Sequence, residues 1–277
     1  MPWPAKRRTI NFMCFDLDSR PPIPPIAGAA VDGKLIHLKA SDGVEFSAFH
    51  EVPSQPSGAA IVIFPDVRGL YKFYEELALR FAEAGIEALT LDYFGRTAGK
   101  VTPGSRDDDF DYMEHVNKTE WNALLADMQA GAEYLHAQPG VRGLFTTGFC
   151  FGGRLGFIAG TRTDLELSGA TGFYGWPAPG AGRGGVPSPT EDAAKFTCPV
   201  LGLFGEADQG IPANVVDEFD QALTTGHVDH ELISYPGAPH SFFDRKATEF
   251  QAASEDAWHR LLDFIAQYTP HEEVAAA

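Results

Sequence analysis

The stretch "AAIVIFP" at residues 59–65 has no charged or hydrogen-bonding side chain. A strand with one wet face alternates apolar and polar residues. An unbroken apolar run fits a strand covered on both faces, as in a parallel sheet with helices on either side. The rest of the chain agrees. Leu70, Phe73, Tyr74, Leu77, Ala78 and Phe81 recur at helical spacing, and Gly85 supplies a stop. "IEALTLDYF" reads as the next strand, and Trp121, Leu124, Leu125, Met128 and Leu135 mark a long helix. "VRGLFTTG" is a strand with a helix to follow Cys150, and "LSGATGFYG", "CPVLGLFG" and "HELISYPG" are three more strands. Helices over about 212–224 and 255–268 complete the alternation, the second lined by Trp258, Leu261, Leu262 and Ile265. Upstream, "KLIHLKA" and "VEFSAFH" flank "SDG" as a hairpin. The prediction is an α/β fold with a mostly parallel, doubly wound sheet and an N-terminal antiparallel hairpin.

Residues 1–30, with "SRPPIPPIAG", form a proline-rich extension expected to lie extended along the surface. Residues 31–270 are expected to form one domain, and 271–277 a tail. Two stretches resist assignment: 95–114, with "RDDDFD", and 176–196, with "WPAPGAGRGGVPSPT". Loops this long in a compact domain often serve as lids or walls.

Charge narrows the partners. The 277 residues carry a formal net charge of −17, which repels nucleic acid and anionic membrane surfaces. The one basic cluster, Lys6-Arg7-Arg8, reads as a solvated terminus. Cys14, Cys150 and Cys198 give neither a disulfide framework nor a zinc pattern, and the histidines lack metal-ligand spacing. No run reaches membrane-spanning length, and the start lacks a signal peptide's apolar region. The expectation is a cytoplasmic protein without cofactor or metal.

"GFCFGG" at 148–153 sets Cys150 between a predicted strand and a predicted helix. A sharp strand-to-helix turn presents a nucleophile above the sheet, and its tight packing demands small neighbours. Gly148, Gly152 and Gly153 provide them. The helix N-terminus adds a positive field and free N–H groups, that of Phe151 among them, where a developing oxyanion would sit. A buried inert cysteine is the ordinary alternative, and it suits Cys198 and Cys14 better. A thiol nucleophile needs a base, and the base an orienting acid. Of nine histidines, His240 in "PGAPHSFF" follows a strand and precedes the last helix. For the acid, "LFGEADQGIP" offers Asp208 in the turn after a strand, with Glu206 as rival.

These motifs make the chain resemble the dienelactone hydrolase family of α/β-hydrolases over roughly residues 33–268. "GFCFGG", "GEAD" and "PHSFF" carry the likeness, with weaker support from "FPDVRGL", "LDYFGR" and "GFYG". The resemblance implies a triad of Cys150, Asp208 and His240 and an oxyanion hole from the N–H groups of Val67 and Phe151. It puts Asp66, one methylene shorter, where the family has a glutamate beside the resting cysteine. It makes Arg96 the holder of a substrate carboxylate. A second family arginine falls on Asp244, with Arg245 one residue later. The implied activity is cofactor-free hydrolysis of a small-molecule ester or lactone through an acyl-enzyme. An arginine-lined pocket would suit small anionic lactones. Apolar walls from Tyr93, Tyr174 and Trp176 would suit a broader carboxylesterase for short acyl or aryl esters. A non-catalytic ligand-binding member is the third reading, and the complete triad argues against it. Oligomeric state is not legible in the sequence.

Overall fold

A computed structural model describes residues 20–25, 31–101, 110–180 and 183–272. Cys14, the basic cluster, most of the proline-rich extension, most of "RDDDFD" and the end of the tail lie outside the described residues. Eight strands form one sheet in the order β1-β2-β4-β3-β5-β6-β7-β8. They are β1 (Val31–Lys39), β2 (Glu45–Pro53), β3 (Ala59–Phe64), β4 (Glu87–Leu91), β5 (Gly143–Gly148), β6 (Gly169–Phe173), β7 (Val200–Gly205) and β8 (His230–Tyr235). The β1–β2 hairpin joins β4 antiparallel, and every other pairing is parallel. This is the predicted doubly wound sheet with its leading hairpin.

The helices are α1 (Lys72–Glu83), α2 (Gly95–Ala98), α3 (Tyr112–Val116), α4 (Trp121–His136), α5 (Phe151–Ala159), α6 (Ala213–Thr225) and α7 (Gln251–Tyr268). Strand β3 shows why its run had to be wholly apolar. Ile61 and Ile63 face a cluster with Phe73, Leu77 and Phe81 of α1 and Trp258, Leu261 and Ile265 of α7. Ala60, Val62 and Phe64 face a second cluster with Leu124, Met128 and Leu135 of α4 and Leu155 and Ile158 of α5. Successive side chains of a strand point to opposite faces, so helices on both faces leave no wet position.

Chain order puts a switch point beside β3. The chain steps from β3 to β4 on one side, then crosses back to β5 on the other. In such sheets the loops beyond the carboxyl ends of the two central strands diverge and leave a crevice. The loop after β3 carries Asp66 and Val67, and the turn after β5 carries Cys150. Asp208 follows β7 and His240 follows β8, so all reach the same edge.

The hairpin is pinned by a buried contact that the sequence did not advertise. His50 Nε2 on β2 lies 2.7 Å from Glu87 Oε1 on β4, and its Nδ1 lies 3.1 Å from the Tyr134 hydroxyl on α4. Both long loops gain partial structure: α2 opens the 95–114 stretch and α3 begins at its end, and a 3₁₀ turn at Ala193–Lys195 ends the 176–196 stretch. Of the proline-rich segment, Ile23 packs against the first core cluster and Arg20 pairs with Glu76 of α1 at 2.8 Å. No helix among the described residues is long and apolar enough to cross a membrane.

Candidate active site

Cys150 occupies φ 57° and ψ −114°, a conformation costly for a side-chain-bearing residue. Backbone bonds to both neighbouring strands over-determine it. Phe149 N–H donates to Phe64 O of β3 at 3.2 Å, and Cys150 N–H donates to Phe173 O of β6 at 3.1 Å. The glycines are steric requirements. A Cβ on Gly148 would sit 2.0 Å from Gly152 O, and one on Gly152 would sit 2.1 Å from Phe64 O. The elbow geometry leaves Cys150 partly buried at the head of α5.

The loop after β3 and the head of α5 each carry a backbone N–H without a protein acceptor among the described residues. In the loop after β3, Asp66 N–H donates to the Tyr74 hydroxyl and Arg68 N–H to Asp66 Oδ1, each at 2.9 Å. Among the described residues, the intervening Val67 N–H and the Phe151 N–H have no acceptor in the protein. Tyr93 braces this loop, its hydroxyl donating to Pro65 O at 2.9 Å and also to Asp66 O.

His240 Nδ1 lies 2.6 Å from Asp208 Oδ2. Asp208 is buried, and its other oxygen accepts the Gly210 N–H at 2.8 Å and the Ile211 N–H at 3.3 Å, which fixes the carboxylate. The rival Glu206 is exposed. The imidazole, partly exposed, packs on the Tyr174 ring with centroids 4.8 Å apart. Tyr174 directly follows Phe173, the backbone partner of Cys150, so this contact draws the two loops together. The Nδ1 contact with Asp208 fixes which edge of the imidazole the carboxylate holds.

The sequence profile of the dienelactone hydrolase family matches residues 46–269. The chain belongs to the dienelactone hydrolase family. A relative from Escherichia coli strain K12 named "Putative carboxymethylenebutenolidase" is 28% identical over 236 residues, covering 82% of this chain and 84% of its own. A Saccharolobus solfataricus protein of the same name is 30% identical over 259 residues, covering 81% and 95%. Among solved structures, a Klebsiella pneumoniae chain described as a "Putative Dienelactone Hydrolase" superposes with a TM-score of 0.74. It is 26% identical and covers 86% of this chain and 100% of its own. The protein is thus a dienelactone hydrolase-like hydrolase with the α/β-hydrolase fold.

Within this dienelactone hydrolase relative, several expected roles move. Arg96 is not an open carboxylate anchor. Its Nε and Nη2 clamp Asp127 at 3.0 and 2.9 Å, and its Nη1 and Nη2 reach Asp42. Two aspartates use the guanidinium fork, which ties α2 to α4 and to the β1–β2 turn. Tyr174 is not a pocket wall. It is fully buried, with its hydroxyl on Asp244 Oδ2 at 2.7 Å. Tyr93 is 3% exposed; with Arg96, Thr97 and Lys118 it borders a cavity of about 190 Å³. Trp176 is half-buried against the first core cluster, and Arg245 is exposed. Asp66 is fully buried, with Oδ1 accepting the Arg68 N–H and Oδ2 3.6 Å from Arg68 Nε.

Two charged groups here escaped the sequence reading, and a third was read only as standing in place of a family arginine. Arg68, 5% exposed, sits against Asp66 and over the Tyr71 ring at 4.9 Å. Its signal was a charge inside "FPDVRGL", directly after the most apolar strand. Arg154, one turn beyond Cys150, is 2% exposed. Its Nη1 donates to Trp176 O at 2.9 Å and Ala178 O at 2.7 Å, and its Nη2 to Val186 O at 3.1 Å. It thereby fastens the 176–196 loop to the elbow helix, and burial pulls the guanidinium down to about 10. Asp244 is the third; burial raises its carboxyl well above the ordinary carboxylate range, and the Asp66 charge adds to the effect. No group of three or more histidine, cysteine, aspartate or glutamate side chains among the described residues could hold a metal ion.

Proposed function

We propose that the protein hydrolyses esters and lactones through a covalent acyl-Cys150 intermediate. The observation that carries this reading is the elbow conformation of Cys150, at the same sheet edge as the 2.6 Å His240–Asp208 pair. His240 Nε2 takes the thiol proton while Sγ bonds to the substrate carbonyl carbon. The Val67 and Phe151 N–H groups receive the resulting oxyanion. As the tetrahedral species collapses, the carbon–oxygen bond to the leaving group breaks, and His240 returns the proton to the departing alkoxide. Water then attacks the thioester, with His240 accepting its proton and passing it to the departing Sγ. Asp208 holds the imidazole tautomer throughout.

The name shared by the relatives points to a lactone that carries a carboxylate. The Arg96 clamp favours a different preference: with its fork engaged by Asp127 and Asp42, and aspartate at 244, the two implied carboxylate anchors are missing. Neutral short-acyl or aryl esters and neutral lactones are therefore the favoured substrates. The test is turnover of p-nitrophenyl acetate by the wild type and by Cys150→Ala. Hydrolysis that disappears in the variant supports the reading. Equal hydrolysis by both, or none by the wild type on this ester and on a panel of neutral lactones, refutes it.

A further inference from the structure

His240 is restrained at two points. One is Asp208, at Nδ1. The other is the Tyr174 ring, 4.8 Å away at an interplanar angle of 55°. Tyr174 is itself held at its backbone, its ring and its hydroxyl. Its N–H donates to Leu203 O of β7 at 2.8 Å, and its ring packs on Phe149, Phe173 and Phe242. Its hydroxyl donates to Asp244 Oδ2 at 2.7 Å. Asp244 lies four residues beyond His240 in the same loop, and its N–H donates to Ser241 O at 3.3 Å. The contacts thus close a ring: imidazole, tyrosine ring, tyrosine hydroxyl, Asp244 carboxyl, loop backbone, and imidazole again.

Backbone strain falls on the same ring. Tyr174 has φ 38° and Ser241, the residue after His240, has φ 63°. Neither is glycine, and both conformations are costly for a side-chain-bearing residue. Such strain persists where surrounding contacts over-determine the backbone, and here those contacts converge on one imidazole.

We propose that Tyr174 and Asp244 are a positioning pair that fixes the plane of the His240 ring for proton transfer. Asp208 sets the tautomer but allows rotation about the Nδ1–carboxylate direction. The tyrosine ring removes that freedom, and Asp244 anchors the tyrosine. Neither residue touches substrate. The buried carboxyl accepts from the Tyr174 hydroxyl and the Arg245 N–H, and it feels the charges of Asp66 and His240. In this confinement the neutral acid is favoured, which keeps a second negative charge away from the imidazole.

The proposal rests on His240 being the base, and the test separates the two ideas. Turnover of p-nitrophenyl acetate is measured for Tyr174→Phe, Asp244→Ala, Asp244→Asn and the double variant Tyr174→Phe/Asp244→Ala, with Cys150→Ala alongside. Tyr174→Phe keeps the ring and removes only its anchor, so the fold survives. A small misplacement of a catalytic group costs up to about 100-fold. The expectation is a kcat lower by roughly 10- to 100-fold in Tyr174→Phe and Asp244→Ala, with KM within about twofold. The double variant is no worse than the weaker single, as for residues acting in one chain. Asp244→Asn, which keeps a carbonyl for the tyrosine, recovers part of the loss. An unchanged kcat in Tyr174→Phe, a loss confined to KM, or losses that multiply in the double variant overturns the pair while leaving the triad intact. Turnover persisting in Cys150→Ala overturns both.

Discussion

Replacing Arg96 by alanine separates a structural clamp from a substrate anchor through pH. Asp127, the partner of Arg96, is 1% exposed. Burial, working against the pull of the guanidinium, pushes its carboxyl from the ordinary 3.8 to about 6. The folded protein therefore binds this proton more tightly than the unfolded chain, so stability falls as pH rises from about 3.8 to 6 and then levels off. At ~1.36 kcal/mol per pH unit, the wild type loses about 3 kcal/mol to this group by pH 7. Without Arg96 the carboxyl stays protonated to higher pH, and the loss can grow to about 4 kcal/mol at pH 7 and about 6 kcal/mol at pH 8. The difference is the charge part of the mutational effect: near zero at pH 5, at most about 1–2 kcal/mol at pH 7 and about 3 kcal/mol at pH 8. For a domain of this size that lowers Tm by roughly 3–6 °C at pH 7 and about twice that at pH 8. The assay is thermal unfolding of wild type, Arg96→Ala and Arg96→Ala/Asp127→Asn from pH 5 to 8, with KM for one neutral and one anionic ester. The double variant should lose the pH-dependent part, and both KM values should move together. A pH-independent Tm, with KM raised tenfold for the anionic ester alone, would show that the clamp is the wrong account.

Iodoacetamide should label Cys150 and abolish turnover while sparing Cys198, whose thiol burial pushes up to about 12; mass spectrometry of the labelled peptides decides, and equal labelling defeats the elbow reading. Asp208→Asn should cut kcat by several orders of magnitude through the wrong imidazole tautomer, while the exposed Glu206→Gln stays near wild type; steady-state kinetics of the two variants checks the choice of acid. Gly152→Ala drives a Cβ to within 2.1 Å of Phe64 O and 2.2 Å of Pro65 O, both backbone atoms. It should lose about 1–3 kcal/mol of stability and most of the activity, and a Tm equal to wild type would mean that the elbow can relax.

Local signals made much of this protein readable from its sequence. Periodicity placed the strands and long helices, because a sheet covered on both faces forces continuous apolar runs such as "AAIVIFP" and its helices forces stripes such as Phe73, Leu77 and Phe81. The glycines about Cys150 exposed the elbow, because close backbone approach leaves a compositional mark within a few residues. His240 and Asp208 were legible for a similar reason: each lies in a short turn just after a strand, where chain order fixes the sheet edge. What the sequence could not decide was partner choice among side chains far apart in the chain. Arg96 sits at the crevice edge in "LDYFGR", but only tertiary packing brings in Asp127 and Asp42, 31 and 54 residues away. Tyr174 looked like a wall because an aromatic after a strand can face a pocket; its hydroxyl meets Asp244, 70 residues away, and turns the ring beneath His240. Periodicity and backbone crowding act over a few residues and so are written locally. Charge pairing and burial depend on which distant groups the finished fold encloses together, and that information exists only once the chain has closed around them.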